Sequence, residues 1–300
     1  MNVGGVEIDE TFAEAFAMAA TAIIITAPTR RWARHAALSM TGFATSIIGC
    51  GCEAGLDTEL AARETPDRRP GIRVLMLSMS PDELQKQLAN RLGQCVLTAP
   101  GSACFAGVEG AARLKLGDAI RYFGDGWQIS KRLENGRHFW RVPVMDGEFL
   151  CEATTGLVAD AVGGGNLLLM GRSYETTLRA AEAAIEAMRA VPDAIMPFPG
   201  GIVRSGTKIG GKYKGMLAST NDAYCPTLRG AVESALDADI ACVLEIVIDG
   251  LSEAAVAGAM RAGLRAIVRL GPKRGAARVS AGNYGGGLGP FKFHLKDLVV

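Results

Sequence analysis

From Ala241 to Gly250 a run of β-branched and aliphatic residues, bounded by Asp/Ala-rich sequence before it and Asp249-Gly250 at its end, predicts a strand. Period-2 alternation places Cys242, Leu244, Ile246 and Ile248 on one face and Val243, Glu245, Val247 and Asp249 on the other. The first face is core. Glu245, flanked by three apolar residues on each side, is out of character on the second. If that face is wet, Glu245 is an ordinary carboxylate. If another part of the chain roofs it, Glu245 is poorly solvated, with a raised pKa suited to proton transfer.

Other stretches follow the helical period. Thr29 caps a helix from Arg30 to Met40, stopped by Gly42. Ser80-Pro81-Asp82-Glu83 starts a second, which carries Leu84, Leu88 and Leu92 on one face and ends at Gly93. Ser173 caps a third with Leu178, Ala181, Ile185 and Met188 buried, and Ser252 caps a fourth, Glu253 to Leu270, burying Val256, Met260, Leu264 and Ile267. Phe12 to Met18 reads as a short helix. Further strands are expected at Ala22–Ala27, Thr45–Ile48, Ile72–Met79, Cys95–Thr98, Asn166–Gly171, Arg278–Gly282 and Phe291–Leu295, with 49–71 as loop. Between Tyr122 and Val144 the pattern is that of hairpins, with a turn at Glu134-Asn135-Gly136, because Asn-Gly tolerates positive φ.

Each half thus shows β-α-β followed by β-α-β. The expected fold is α/β (α+β): two ferredoxin-like lobes, each a mainly antiparallel sheet with helices on one side. The expected domains are an N-terminal (proximal) lobe, 1–146, a C-terminal (distal) lobe, 147–288, and a terminal strand, 289–300, returning to the first lobe.

Composition narrows the chemistry. The 300 residues are 49% apolar and 6% aromatic, so the core is mainly Ala, Val, Ile and Leu. A net charge of +1 argues against capture of nucleic acid over the whole surface. Seven cysteines, an odd number, and no CxxC fit a reduced, cytoplasmic protein. Cys50 and Cys52 can bind a metal only with ligands from elsewhere. Met1-Asn2-Val3-Gly4 has no basic n-region, and Ala15 to Pro28 is too short to span a bilayer; neither a signal peptide nor a membrane segment is expected. Arg261, Arg265 and Arg269 form a stripe that is either a solvated helix face or an anchor for an acidic substrate tail.

Three polar, glycine-bearing loops stand out: Phe198–Lys214, Ala218–Pro226 and Ser280–Pro290. The first has amides and lysines to hold an anion, or is a basic surface loop. The second packs Ser, Thr, Asn, Asp, Tyr and Pro together, as recognition of a flat heterocycle requires or as a structural Asx-turn does. The third precedes a strand rather than a helix and fails the dinucleotide-loop context.

Several segments resemble formylmethanofuran:tetrahydromethanopterin formyltransferases: Ser219–Pro226, Pro197–Val203, Ser280–Gly286, Thr11–Phe16, Gly93–Val96 with Thr98–Pro100, Phe123–Gly126 and His294–Leu298. The matches run in order from end to end. The resemblance implies a homotetramer built as a dimer of dimers, and formyl transfer between N5 of tetrahydromethanopterin and the amine of a methanofuran-type carrier. It implies a ternary complex, with both carriers in clefts between lobes and subunits as co-substrates and no tightly bound cofactor or metal. Glu245 falls on the family's active-site glutamate, and Phe198, Pro199, Gly200, Gly201, Asn221, Asp222, Tyr224 and Asn283 are the implied substrate-binding residues. Glycine-loop amides are candidates to hold the oxyanion.

The chain departs from the strongly acidic methanogen members in being neutral. Members from methylotrophic and planctomycete-type bacteria work with a formyl hydrolase complex in oxidising formaldehyde to formate, and hydrolase subunits are then partners. Thr29-Arg30-Arg31-Trp32 and the Cys50–Cys52 segment are also less typical. The competing readings are a non-catalytic subunit of a hydrolase complex and a folate-dependent formyltransferase.

Overall fold

The computed structural model describes residues 1–133 and 136–299. Residues 18–161 form one compact unit; residues 1–17 and 162–300 form the other.

In the first unit the strand order is Glu53–Leu60, Gly71–Ser78, Ala19–Thr26, Ala103–Ala106, Gly147–Glu152, His138–Val144, Ile129–Arg132. Every neighbouring pair is antiparallel except Ala103–Ala106 with Gly147–Glu152. Helices Arg30–Thr41 and Pro81–Arg91 cover one face, where Ala33, Ala37, Leu84 and Leu88 pack on Ile23, Ile25, Val74 and Met76. Thr29 and Ser80 cap them, each hydroxyl accepting a backbone N–H in the first turn.

The second unit repeats the plan. Its sheet runs Val6–Ile8, Arg278–Ser280, Val162–Gly171, Cys242–Gly250, Ala194–Ile195. Only Val6–Ile8 with Arg278–Ser280 is parallel. Helices Tyr174–Met188 and Glu253–Leu270, capped by Ser173 and Ser252, bury Ala181, Ile185, Val256, Met260 and Leu264 against Leu167, Leu169, Leu244, Ile246 and Ile248. The other sheet face carries a smaller cluster of Leu168, Met170, Val243, Tyr224, Leu236 and Ile240. The irregular segment after Ile195 supplies Tyr224, Leu236 and Ile240 to it and so covers the face that holds Glu245.

The chain passes between the two compact units at Ala17/Met18 and Ala161/Val162. The N-terminal residues pack with the second half because Val6–Ile8 extends its sheet and Phe12–Ala15 pairs with Phe291–His294. The terminal strand therefore returns to the first residues of the chain, which are themselves part of the second unit.

Four expected elements differ. Phe12–Met18 is the start of the strand Phe12–Thr26, not a helix. Thr45–Ile48 is replaced by a short helix, Ile47–Cys50, capped by the Ser46 hydroxyl and ended by Gly51 at φ 74°. The expected loop 49–71 contains the strand Glu53–Leu60. Cys95–Thr98 is not a strand, because a π turn, Leu92–Val96, prolongs the preceding helix; the strand follows at Ala103–Ala106. Of the expected hairpin turn, Glu134 and Asn135 lie outside the described residues; the strands Ile129–Arg132 and His138–Val144 do pair. Among the described residues no helix is long and apolar enough to cross a membrane.

Candidate active site

Glu245 sits in the middle of the strand Cys242–Gly250, opposite Leu168 on one side. On the other, an isolated bridge ties it to Val203: each residue donates its N–H to the other's carbonyl, at 2.7 and 2.9 Å. Val203 arrives by way of the turn Pro199–Gly201. That turn needs glycine at 201, where φ is 89° and a Cβ would run into the Ile185 side chain. Backbone pairing on both sides thus fixes Glu245 on the sheet face away from the helices.

Two cavities meet at this residue. One, of about 590 Å³, is lined by Thr11, Asn166, Lys208, Asn283, Tyr284 and others. The second, of about 410 Å³, is lined by Val203, Ser205, Cys225, Pro226 and Val243 among others. Leu168, Asn221, Tyr224 and Glu245 line both. Each is in the size range of a small-molecule site.

The three shared polar side chains are unengaged. Among the described residues no hydrogen bond reaches the Glu245 carboxylate, the Asn221 carboxamide or the Tyr224 hydroxyl, and none belongs to an ion pair. Burial alone pushes the Glu245 carboxyl up from 4.5 to about 7, because the charged form loses water and gains no compensating partner. The poorly solvated alternative for Glu245 is the one the structure adopts. Burial, then the charges of Glu245 and Glu14, raise the Tyr284 phenol, so it stays protonated as a donor in the first cavity.

Arg278, Asn166 and Asn283, which also line the first cavity, are already paired. Arg278 grips Asp9 through two hydrogen bonds, of 2.7 and 3.1 Å, and reaches Asp237 at 3.0 Å. Asn166 accepts from the Gly282 N–H at 2.7 Å. Asn283 donates to the Thr11 hydroxyl at 3.0 Å and the Phe12 carbonyl at 3.3 Å, and accepts from the Gly285 N–H.

The expected site residues therefore separate. Glu245, Asn221 and Tyr224 come together at the junction, and Asn283 lines the first cavity with its amide occupied. Asp222 lines neither cavity; its carboxylate accepts from Lys208 and from the Ala223 N–H, and the lysine ammonium holds it below the usual carboxylate range. Phe198, Pro199, Gly200 and Gly201 also line neither cavity; they carry the chain from Ile195 to the Val203 bridge. Arg261, Arg265 and Arg269 line neither.

The expectation for glycine-loop amides changes most. The carboxylate of Glu14 accepts the N–H groups of Tyr284 and Gly286 on one oxygen, at 2.7 and 3.0 Å. Its other oxygen accepts those of Leu288 and Gly289, at 2.6 and 2.7 Å. These four amides are consumed and cannot hold an oxyanion. Sequence reasoning passed over Glu14 and Tyr284. The signal for Glu14 is the same as for Glu245, one acid within an apolar run, but its alanine-rich run resembles a helix rather than a strand.

A family model described as formylmethanofuran-tetrahydromethanopterin formyltransferase matches residues 1–144, and a second, described as "FTR, proximal lobe", matches 147–298. The chain belongs to the formylmethanofuran–tetrahydromethanopterin formyltransferase family. The second description gives the name proximal to the lobe of 147–298, so the expected proximal and distal labels are exchanged. Within the family, the chain is 59% identical to the formylmethanofuran–tetrahydromethanopterin formyltransferase of Methylococcus capsulatus, over 100% of both chains. It is 58% identical to a subunit of the formyltransferase/hydrolase complex of Methylorubrum extorquens, over 99% of this chain and 97% of the relative. It superimposes with a TM-score of 0.98, covering 100% of this chain and 99% of the other, on a chain in the crystal structure of the M. extorquens formyltransferase/hydrolase complex with methylofuran. With the family's formyltransferase from Methanosarcina barkeri the TM-score is 0.93 at 42% identity, covering 99% of this chain and 100% of that one.

Proposed function

We propose that this protein is an N-formyltransferase that moves a formyl group between N5 of tetrahydromethanopterin and the amine of a methanofuran-type carrier, with Glu245 as the proton carrier. The observation that carries the proposal is the position of Glu245, unpartnered and poorly solvated, where two cavities meet. Transfer between two carriers requires both reacting nitrogens at one point, and two cavities sharing one wall provide it.

The acceptor amine attacks the formamide carbon, a C–N bond forms, and the carbonyl becomes a tetrahedral oxyanion. The bond to the donor nitrogen then breaks. The attacking nitrogen must lose one proton and the leaving nitrogen must gain one. A carboxyl group with a pKa near 7 populates both forms at neutral pH, so Glu245 accepts the first proton as carboxylate and returns it as acid. The Asn221 carboxamide and the Tyr224 hydroxyl, both unengaged and at the junction, are donors available to the oxyanion. Holding both carriers together supplies the rest of the acceleration. In this reading Phe198–Gly201 and Asp222 shape the site through the Val203 bridge and the Lys208 pair, and Asn283 orders the third loop.

The kinship with a subunit of a formyltransferase/hydrolase complex favours transfer from formyl-tetrahydromethanopterin to the furan carrier, with hydrolase subunits as partners of a cytoplasmic homo-oligomer. The test is a spectrophotometric transfer assay with tetrahydromethanopterin beside tetrahydrofolate. Turnover with the first alone is expected. Turnover with tetrahydrofolate would favour a folate enzyme, and none with either would favour a non-catalytic subunit. Glu245→Gln is expected to lower kcat by about 10²-fold or more, the usual share of general acid–base catalysis. Near-wild-type turnover in that variant would remove Glu245 from the mechanism.

A further inference from the structure

Glu14 has no part in the chemistry just described, yet its surroundings are unusual. It is fully buried in the strand Phe12–Thr26, and among the described residues no cation pairs with it. Its cross-strand partner, Lys292, instead places its ammonium over the Phe12 ring, at 5.7 Å. The charge is met entirely by the four backbone N–H groups of the loop Tyr284–Gly289.

Besides the Gly285 N–H to Asn283 hydrogen bond and a tilted ring contact between Tyr284 and Phe16, with centroids 6.2 Å apart, that loop has little else to shape it. Tyr284, Gly285, Gly287 and Leu288 are exposed, and Gly285 and Gly286 have positive φ, at 82° and 74°. Gly289 passes so close to the Ala15 carbonyl that no side chain fits. A glycine-rich segment of this kind has much conformational freedom to lose. One carboxylate that accepts four N–H groups removes it, since charge-assisted hydrogen bonds are roughly twice as strong as neutral ones. The loop in turn delivers Tyr284 to the cavity that holds Glu245, close enough for the Glu245 charge to act on the phenol.

We propose that Glu14 is a positioning residue for formyl transfer: its buried carboxylate clamps the loop Tyr284–Gly289 and thereby sets the Tyr284 hydroxyl in the cavity beside Glu245. The inference rests on the reading of that cavity as the transfer site. The four N–H groups bind the loop around an anion supplied by the protein itself. They hold Glu14 ionised, well below the usual carboxylate range at about 2, the Gly289 N–H contributing most, so the clamp does not release at neutral pH.

The test compares wild type with Glu14→Gln, Glu14→Asp, Tyr284→Phe and the double variant Glu14→Gln/Tyr284→Phe. Glutamine keeps the shape but turns an NH2 group toward N–H donors. Expected are faster amide hydrogen exchange over 283–290, unchanged exchange elsewhere, and a kcat about tenfold lower with KM for both carriers nearly unchanged, as misplacement near the reacting atoms gives. Glu14→Asp, which keeps the charge, recovers part of kcat. The losses from Glu14→Gln and Tyr284→Phe do not multiply in the double variant, because one acts through the other. A purely structural role would lower the folded fraction and leave kcat per folded site unchanged; that result, or multiplicative losses, overturns the proposal. Should Glu14→Gln fail to fold, exchange in the wild type decides: the amides of 284, 286, 288 and 289 are expected to be protected despite the loop's exposure, and free exchange refutes the clamp. If the wild type transfers no formyl group, the functional reading falls, while the exchange comparison still stands or fails alone.

Discussion

Replacing Glu245 by glutamine should make the protein more stable at neutral and alkaline pH while disabling it. The carboxyl accepts no hydrogen bond among the described residues, so glutamine, of nearly the same shape, gives up no interaction. Its only penalty in the native state is the burial of charge. An acid whose pKa rises from 4.5 in the unfolded chain to about 7 on folding destabilises the native state by about 3 kcal/mol once fully ionised. The sign follows from proton counting. Between pH 4.5 and about 7 the native state binds more protons than the unfolded state, so stability falls as pH rises through that window and levels off above it. Below 4.5 both states are protonated and the group contributes no pH dependence. Urea unfolding of wild type and Glu245→Gln from pH 4 to 9, followed on the transition of the unit carrying Glu245, isolates the effect. Subtracting one stability profile from the other cancels every titrating group that Glu245 does not perturb, and the Tyr284 phenol, which it does, is raised from 10 and titrates above this range. The difference should grow in favour of glutamine by about 3 kcal/mol between pH 4.5 and about 7 and then stay constant. A flat difference profile would mean that Glu245 is well solvated, and the proton-transfer role would go with it.

The same group should appear in kinetics: kcat/KM for transfer is expected to show an inflection near pH 7 that Glu245→Gln abolishes, read from initial rates across pH. Asn221→Ala and Tyr224→Phe each remove one unengaged polar group from the junction; kcat/KM should fall about tenfold per lost hydrogen bond, with melting temperatures unchanged by calorimetry. Gly201→Ala adds a Cβ at positive φ against Ile185 and should cost about 2–4 kcal/mol in denaturant titration. Its effect on activity should follow the loss of fold, since Gly201 lines neither cavity.

The helices were legible along the chain because their signals are local. Ser80, Ser173 and Ser252 each cap the helix expected after them, and the helix Glu253–Leu270 has the limits its apolar period and Gly271 predict. The misread elements are those whose partners are distant. In Phe12–Met18, Ala13, Glu14 and Ala15 are all buried, so period-2 alternation is missing and an alanine-rich run resembles helix. Glu53–Leu60 is an edge strand of mixed polarity whose strand partner among the described residues is Gly71–Ser78. At Ser46–Gly51 a side-chain cap and a left-handed glycine outweighed the β-branched isoleucines.

The candidate site divides along the same line. An acid within an apolar strand, and the Asn-Asp-Tyr loop, mark the chemistry in the sequence. What those groups do depends on solvation and hydrogen-bond partners, which come from residues far apart in the chain. Two acids set in similar apolar runs meet opposite fates: Glu14 collects four N–H groups and stays ionised, while Glu245 collects none and keeps its proton to about pH 7. The sequence by itself determined the repeated β-α-β plan, the capped helices and the residue types available for proton transfer. Only the tertiary structure decided which carboxylate is held ionised and which is left poorly solvated without a donor, because desolvation and amide donors are supplied by segments that meet only when the chain folds.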